Sequence, residues 1–221
     1  MVDRSKHSSV VNKTALEKAR EAPGSTKARI LSSAEEVFAG RGFTGASTRE
    51  IAARAGVNIS SLHYHWASKE TLYMAVFRNT FDQIVELLRE TLEPLQTQQL
   101  DRRAMIDQAM DRLFDFFADN PNVPKLLVRR IVENAEIDVG VERDVLVPAW
   151  DVFSTWMKRL GQKVSDTDSR LFMLSMNSVM LIYLLDSDPY QSVLGGSVRN
   201  GALREQVRGH VKQLVHALLG V

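Results

Sequence analysis

The sequence predicts an all-α protein, and three observations support this prediction. Apolar residues recur at spacings of three and four along most of the chain, which is the repeat of one helix face. No stretch shows the alternation of apolar and polar residues that a half-buried strand requires. The prolines fall at or near the breaks in this pattern, as at Pro121, Pro148 and Pro189, where they interfere least with helices.

Composition narrows the kind of protein further. The chain has 221 residues, 44% of them hydrophobic and 25% charged, which is enough for a core without a metal or disulfide. It contains no cysteine, so disulfides, thiolate nucleophiles and cysteine-ligated zinc are excluded. The start of the chain lacks the apolar segment of a signal peptide, and the most apolar stretch, 171–185, is too short to cross a bilayer. A cytoplasmic protein without a membrane partner is expected.

Each helix predicted in the N-terminal part begins behind a side chain that can cap it and ends at glycine or proline. Residues 1–24 are polar and end at Pro23-Gly24, which predicts a flexible arm with a short helical piece around 15–20. Helices are then predicted from Ser25 or Thr26 to Gly40 and Gly42, from Ser47 to Gly56, from Asn58 to Trp66, and from Ser68 to near Pro94. Glu50 lies at capping-box spacing from Ser47. Further helices are predicted over 101–119, 121–136, 142–162, 167–186 and 200–219.

Charge is distributed unevenly, although the formal net charge is only +1. Residues 1–72 hold 11 Lys and Arg against 7 Asp and Glu, whereas the remainder holds 17 against 20. A modestly basic first third on a near-neutral body is compatible with a protein that binds nucleic acid, and by itself it is a weak signal.

The stretch from Thr48 to Trp66 has the spacing of a helix-turn-helix. Ala52 is small where two helices must approach closely, and Gly56 can adopt the left-handed conformation that the turn needs. The apolar wedge between the helices is supplied by Ile51, Val57 and Leu62. An alanine, a glycine four residues later and a leucine six residues after that are, in combination, specific for this motif.

Residues 26–75 resemble the N-terminal DNA-binding domain of the TetR/AcrR family. The residues that carry the resemblance are Phe38, Gly42, Phe43, Thr48, Ile51, Ala52, Ala55, Gly56, Val57, Leu62, Tyr64, His65, Trp66, Ser68, Lys69, Glu70 and Leu72. The sequence departs from the commonest pattern at His63, where many members have Tyr, and at Trp66, where many have Phe, which affects the details of contact. The resemblance implies a three-helix DNA-binding domain at 25–72 and a larger helical ligand-binding and dimerisation domain at 73–221.

The resemblance also implies a homodimer that presents two recognition helices to successive major grooves of a near-palindromic, double-stranded DNA operator. Base edges would be contacted by Arg49 and, at the start of the recognition helix, by Asn58, Ile59, Ser60 and Ser61. Phosphates would be contacted by Thr26, Lys27, Thr48, Ser61, His63, Tyr64, His65 and Lys69.

Several of these side chains have a plain structural alternative. Trp66 is interpreted as a core residue, Tyr64 and His65 can also pack inside the domain, and Lys69 can be a solvated surface charge. His63 and His65 are about 200° apart around a helix, so they cannot share a metal ion. Glycines 40, 42 and 45 follow no predicted strand and precede no Gly-Lys-Ser/Thr, so a phosphate-binding loop is excluded. No metal, cofactor or catalytic residue is predicted.

The C-terminal part contains a predicted dimer interface and a predicted ligand pocket. In the last helix an apolar stripe is formed by Leu203, Val207, Val211, Leu214 and Leu218. With the apolar helix 167–186, this stripe predicts a four-helix bundle across a two-fold axis, and an intramolecular core is the alternative. The pocket candidates, which can equally be core residues, are Met105, Phe114, Phe117, Trp150, Phe153, Met157, Met173, Asn177, Met180 and Tyr183. They suggest a small, largely apolar effector.

The function expected from these features is that of a ligand-responsive repressor. Ligand binding would move the fourth helix, change the spacing of the recognition helices and weaken operator affinity. The alternative is a constitutive or activating DNA-binding regulator without an inducer. An all-helical enzyme is disfavoured, because no Ser/His/Asp, Cys/His or paired-carboxylate arrangement can be placed and the helix-turn-helix spacing would remain unexplained.

Overall fold

The computed structural model of the chain describes residues 14–95, 100–133, 147–159 and 165–221. Within those ranges the backbone forms eleven helices and no strand. In chain order they are α1 (Ala15–Glu21), α2 (Thr26–Gly45), α3 (Thr48–Arg54), α4 (Ile59–His65), α5 (Lys69–Leu95), α6 (Arg102–Asp119), α7 (Asn122–Glu133), α8 (Val147–Arg159), α9 (Asp166–Leu185), α10 (Asp188–Leu194) and α11 (Gly201–Leu219). The prediction of an all-α fold is confirmed.

Helix α2 begins where the sequence predicts and ends later. Ser25 is its N-cap, and the Ser25 hydroxyl accepts a hydrogen bond from the amide of Ala28 at 3.2 Å. At Gly42 the backbone leaves the helical conformation, with φ 70° and ψ −178°, and it then resumes a helical course to Gly45. The positive φ favours glycine at this position. The predicted end at Gly42 is therefore a kink rather than the end of the helix.

Helix α5 runs through two apolar cores. Its first half packs with α2, α3 and α4 in a cluster that includes Phe38, Leu62 and Tyr73 and extends to Phe81. From Leu88 onward it packs with α6, α8, α9 and α11 in a second cluster. The core of the N-terminal domain thus continues past the predicted boundary at residue 72. A displacement of the second half of α5 can reach the first because one helix connects the two cores.

The prediction of a flexible arm over residues 1–24 is wrong for the part of the arm that forms α1. Residues 15–21 form a helix whose Ala19 is buried, and Ala15 and Leu16 pack against the N-terminal core. The arm prediction for residues 1–13 lies outside the described residues. Sequence reasoning indicated the helical piece, and it missed the packing because only a few small apolar residues carry it.

The C-terminal helices follow the prediction with one omission. Helices α6, α9 and α11 lie within one residue of their predicted bounds, whereas the predicted ends at 136, 142 and 162 lie outside the described residues. The omitted element is α10, which has Ser187 as its N-cap, Pro189 in its first turn and the left-handed Gly195 as its C-cap. Among the described helices none alone is long and apolar enough to span a bilayer, and α9 with α10 meets that criterion only as a pair bent by 89°.

Helices α6 and α11 are joined by an antiparallel row of three ion-paired steps and one Asp–His contact that is an ion pair only when the imidazole is protonated, here together called the charge ladder. Its acidic residues, one every four positions on α6, are Asp107, Asp111, Asp115 and Asp119, and its basic residues, at the same interval on α11, are Arg204, Arg208, Lys212 and His216. The nearest N–O distances are 2.8 Å for Asp119–Arg204, 2.6 Å for Asp115 with Arg204 and with Arg208, 2.6 Å for Asp111–Lys212 and 3.0 Å for Asp107–His216. The ladder connects the two helices side by side over about three turns.

Candidate nucleic-acid interface

The turn between α3 and α4 has the geometry that the helix-turn-helix spacing predicts. The amide of Val57 donates a hydrogen bond to the carbonyl of Ala52 at 3.0 Å. The amide of Gly56 donates one to the carbonyl of Ala53 at 3.1 Å. These two bonds form a Schellman motif, which requires a left-handed residue between them. Gly56 is that residue, with φ of 66°. The turn satisfies the last carbonyls of α3 and directs the chain into α4.

Helix α4 has one buried side and one exposed side. Leu62 is completely buried and Trp66, the C-cap, is 2% exposed, so both hold the helix in the core. Trp66 is thus a core residue, as interpreted. The exposed side carries Ile59, Ser60, His63 and Tyr64, and Tyr64 is 85% exposed. An 85%-exposed tyrosine on a short helix contributes little to packing and is available to contact a ligand.

Asn58 caps this helix, which limits what its side chain can do. Its Oδ1 accepts a hydrogen bond from the amide of Ser61 at 2.7 Å. The carboxamide NH₂ group stays available as a donor. Ser47 caps α3 in the same way, with its hydroxyl accepting from the amide of Glu50 at 3.1 Å. The predicted capping box is not completed by Glu50. Its carboxylate pairs instead with the Arg41 guanidinium, at an N–O distance of 3.0 Å.

The remaining predicted contact residues lie at the starts of α2, α3 and α5. Thr26, Lys27 and Thr48 are half-buried in the first turns of α2 and α3, and Arg49 is exposed. Burial and then the charge of nearby Lys27 hold the pKa of His65 below its usual range. His65 is half-buried, and its ring lies 5.1 Å from that of Tyr64. The first turn of α2 and the end of α4 therefore form one continuous surface.

Lys69 is bound within the domain rather than extended into solvent. Its Nζ donates to the carbonyl of Ala46 at 2.8 Å and lies 4.3 Å from the centre of the Phe43 ring. The ammonium thereby joins the start of α5 to the segment between α2 and α3. Sequence reasoning missed this contact, which depends on the tertiary arrangement. Two further donor positions on the ammonium remain for a phosphate.

Within the part of the chain that the structure describes, the predicted pocket residues are spread over two apolar clusters and the surface. An apolar cavity of about 40 Å³ lies between α5, α6, α8, α9 and α11. It is lined by Leu88, Leu92, Ile106, Ala109, Met110, Leu113, Phe153, Trp156, Phe172, Met176, Val215 and Leu219. Phe153 is one of the ten predicted residues and lies in the lining of this cavity, and the other nine are not among its described lining residues. The second cluster contains Met105 and Met157, a third cluster contains Phe114, Phe117, Met180 and Tyr183, Asn177 is exposed, and Trp150 and Met173 are half-buried.

The predicted interface stripe on α11 also needs correction. Val207 and Val211 are 5% and 1% exposed because they pack against α6 and α9 within the same chain. Leu203 packs partly against the same cluster, Leu214 is half-buried, and Leu218 is 56% exposed. The stripe therefore faces mainly inward, which is the intramolecular alternative. Besides Leu218, large apolar side chains are exposed on three other helices of this region. They are Ile131 and Val132 on α7, Leu171, Leu174 and Ile182 on α9, and Tyr190 and Val193 on α10.

Among the described residues, no group of three or more His, Asp or Glu side chains is placed to hold a metal ion. The exposed side of α4 and the first turns around it offer hydroxyl, imidazole, guanidinium and ammonium groups. These are the groups that bind base edges and phosphates.

Comparison with known proteins agrees with this chemistry. A family model described as bacterial regulatory proteins, tetR family, matches residues 30–76. The HTH-type transcriptional regulator RutR of Escherichia coli K12 is 38% identical over 206 residues, covering 90% of this chain and 92% of RutR. The HTH-type transcriptional activator FasR of Mycolicibacterium smegmatis is 37% identical over 90 residues, covering 41% of this chain and 39% of FasR.

A solved structure of the regulator FadR from Bacillus subtilis, in complex with stearoyl-CoA, has the same fold. It superposes with a TM-score of 0.61 at 15% identity, over 85% of this chain and 96% of that one. RutR matches almost the full length of the chain, and the family model matches α2 to the first turns of α5. The chain therefore belongs to the tetR family of bacterial regulatory proteins and is a DNA-binding transcriptional regulator, not an enzyme.

Proposed function

We propose that the protein binds a near-palindromic operator as a homodimer, with one α4 in each of two successive major grooves. The exposed side of α4 carries this proposal, because its polar and apolar side chains stand in solvent on a helix that the core holds rigidly. Base edges are assigned to Arg49, Asn58, Ile59, Ser60 and Ser61. Phosphates are assigned to Thr26, Lys27, Thr48, Ser61, His63, Tyr64, His65 and Lys69.

For the dimer we propose the exposed apolar face of α9 together with the end of α11. Leu171, Leu174 and Ile182 lie on one side of α9, and Leu218 is exposed near the end of α11. Exposed leucines at helical spacing are unfavourable in water and are stabilised by burial against a second copy. This assignment replaces Val207 and Val211 of the predicted stripe and keeps Leu218.

We propose that the effector is a long acyl chain that enters the cavity between α5 and α11. The lining side chains carry no formal charge, which suits a hydrocarbon and excludes a small anion. The stearoyl-CoA bound to FadR, a protein of the same fold, supports this class of ligand. Ligand sites have volumes of roughly 300–1,000 Å³, far more than the cavity of about 40 Å³. Binding must therefore move the surrounding helices apart.

The movement has a direct route to the DNA-binding side chains. Leu88 and Leu92, which line the cavity, belong to α5, and α5 begins at Lys69, three residues after α4 ends with its C-cap. A shift of α5 changes the position of α4 and hence the distance between the two recognition helices of a dimer. An acyl ligand is expected to weaken operator binding, as in a repressor. The likeness to the activator FasR favours an activating regulator as the second candidate.

The test begins with duplexes selected from a random-sequence pool by the purified protein. Affinity for an enriched duplex is measured by fluorescence anisotropy without ligand, with stearoyl-CoA and with coenzyme A alone as the control. We expect stearoyl-CoA to raise Kd by about tenfold, a typical allosteric coupling, and coenzyme A to leave it unchanged.

A pair of cavity variants locates the effect. Ala109 lines the cavity, whereas Ala104 lies on the same helix outside it. Ala109→Val should retain DNA binding and lose much of the response to stearoyl-CoA, and Ala104→Val should retain both. A Kd that stearoyl-CoA does not change would contradict release by an acyl ligand and favour the constitutive or activating alternative.

A further inference from the structure

Helix α1 lies outside the part of the chain that matches the family model, residues 30–76, and it is nevertheless well formed. The hydroxyl of Thr14 accepts from the amide of Glu17 at 3.2 Å, and the Thr14 amide donates to the Glu17 carboxylate at 2.6 Å. These bonds make a complete capping box. Helices shorter than about 12 residues are marginal in water, so contacts with the rest of the protein must stabilise a helix of seven residues.

Arg20 provides the polar part of those contacts. Its Nε donates to Oδ1 of Asn79 at 2.9 Å, and its Nη2 donates to Oδ2 of Asp82 at 2.8 Å. Asn79 and Asp82 are three residues apart on α5 and therefore lie on one face of that helix. The guanidinium group binds both at once, which its planar fork allows and a lysine cannot reproduce.

The place where Arg20 meets α5 is the junction between the two cores. Asn79 lies about 15 Å along α5 from Lys69, at 1.5 Å per residue. Phe81 is the last buried residue that α5 contributes to the N-terminal core, and Leu88 is its first residue at the cavity. Asp82 lies between them. Arg20, whose side chain is 39% exposed, thus contacts α5 at the point where that helix leaves the N-terminal domain.

At its other end α1 is tied to α2. Only residues 22–25 separate the two helices, and Ala15, Leu16 and Ala19 pack on the core to which α2 contributes. The start of α2 carries Thr26 and Lys27, and the start of α5 carries Lys69. Helix α1 therefore connects the two helices that flank α4 on the proposed DNA surface.

We propose that α1 is a brace that holds α2 and the first half of α5 as one body, and that Arg20 is a positioning residue for operator recognition. Arg20 acts through Asn79 and Asp82 and touches no DNA. With the brace in place, a movement that starts at the cavity bends α5 beyond Asp82 and carries the DNA-binding helices as a unit. The inference rests on the proposed recognition of an operator by α4.

The variants are Arg20→Ala, Arg20→Lys and the exchange Arg20→Asp with Asp82→Arg, compared with Lys18→Ala. Lys18→Ala is the matched control, because it also removes one positive charge from α1. The Lys18 side chain makes no hydrogen bond or ion pair with any described residue. Affinities are measured for the duplex that the wild type selects and for a scrambled duplex of equal composition, over a range of salt. Thermal unfolding confirms that each variant is folded at the measuring temperature.

We expect Arg20→Ala to weaken binding to the selected duplex by about fivefold, within the range typical of residues that couple sites indirectly. Binding to the scrambled duplex, and the salt dependence, should match those of Lys18→Ala, and the charge exchange should restore most of the lost affinity. Arg20→Lys should fall between wild type and Arg20→Ala. Equal losses in Arg20→Ala and Lys18→Ala on both duplexes would indicate a phosphate contact and overturn the proposal, as would wild-type affinity in Arg20→Ala.

Amide hydrogen exchange of the free protein provides a second reading that needs no operator. Arg20→Ala should speed exchange in residues 79–85 of α5, and Lys18→Ala should not. If the wild type enriches no duplex, the proposed operator recognition fails while this measurement still decides on the brace. Unchanged exchange over 79–85 in Arg20→Ala would refute it.

Discussion

On the proposed DNA surface, two side chains have internal contacts that limit how they bind DNA. The Asn58 carbonyl oxygen is used in capping α4, so only its NH₂ group can reach a base, and it must face an acceptor such as a purine N7. The Lys69 ammonium already donates one hydrogen bond to the Ala46 carbonyl. Replacing Lys69 therefore affects the segment before α3 as well as a phosphate contact.

His65 gives a pH dependence whose sign follows from its pKa. Burial, and then the charge of Lys27, lower that pKa, so the unfolded chain takes up a proton near pH 6.5 and the folded protein only at lower pH. The contribution of His65 to stability is therefore full above about pH 6.5 and is lost as the pH falls from there towards the lower pKa of the folded protein. Between pH 7.5 and 5.5 the melting temperature of wild type should fall further than that of His65→Gln. Equal falls would contradict the placement of His65.

Gly56 and Gly40 form a matched pair for testing the turn. Both have open space where a Cβ would stand, and only Gly56 has a positive φ, at 66°. Gly56→Ala should lower the free energy of unfolding by about 1–2 kcal/mol, the left-handed penalty of a residue with a side chain. Gly40→Ala, within α2, should raise it by up to about 1 kcal/mol. Urea unfolding measures both, and a neutral Gly56→Ala would contradict the turn geometry.

Among the elements, those with local signals were predicted well. Ser25, Ser47 and Asn58 cap the helices they were expected to cap, because capping depends on a few consecutive residues. Helix α10 had such signals at Ser187 and Gly195, and its seven residues are too few to show an apolar period. The other errors concern tertiary packing. Nothing local distinguishes an apolar stripe that meets another helix of the same chain from one that meets a partner, so Val207 and Val211 were assigned to the wrong surface.

The charge ladder is another tertiary feature, since it joins side chains that are between 85 positions (Asp119 and Arg204) and 109 positions (Asp107 and His216) apart in the sequence. Burial alone would raise the pKa of Asp115, and the hydrogen bonds from Arg204 and Arg208 hold it below its usual range. Asp115→Asn should lower the free energy of unfolding at pH 7 by about 1 kcal/mol, since partly exposed ion pairs contribute roughly 0.2–1 kcal/mol each. Asp119→Asn, which loses only the pair with Arg204, should cost less. Equal effects would argue against the central place of Asp115 in the ladder.

For the molecule as a whole, the cavity and the proposed dimer face lie on the same helices. Helix α9 contributes Phe172 and Met176 to the cavity and exposes Leu174 on its other side. A ligand that separates the cavity helices therefore also displaces the proposed interface. The composition of the sequence indicated an apolar ligand, and it did not identify the lining, because a cavity forms where helices distant in sequence fail to fill space.

The dimer face is tested by placing a charge on it. Leu174→Asp should convert the protein to monomers and abolish tight operator binding, because an unpaired carboxylate would be buried at the interface. Val193→Asp, on α10, replaces an apolar residue that is even more exposed and should leave the dimer intact. Light scattering reports the mass of each variant. A Leu174→Asp protein that remains dimeric would place the interface elsewhere.

The most direct test of the whole account asks whether α4 reads sequence. Duplexes are selected from one random pool in parallel by wild type, by Ser60→Asn on the exposed side of α4, and by Ser192→Asn on α10 as the control. We expect wild type and Ser192→Asn to enrich the same inverted repeat, and Ser60→Asn to change the preferred base at symmetric positions in its two halves. An identical repeat for all three proteins, or no enriched sequence for wild type, would contradict recognition through α4.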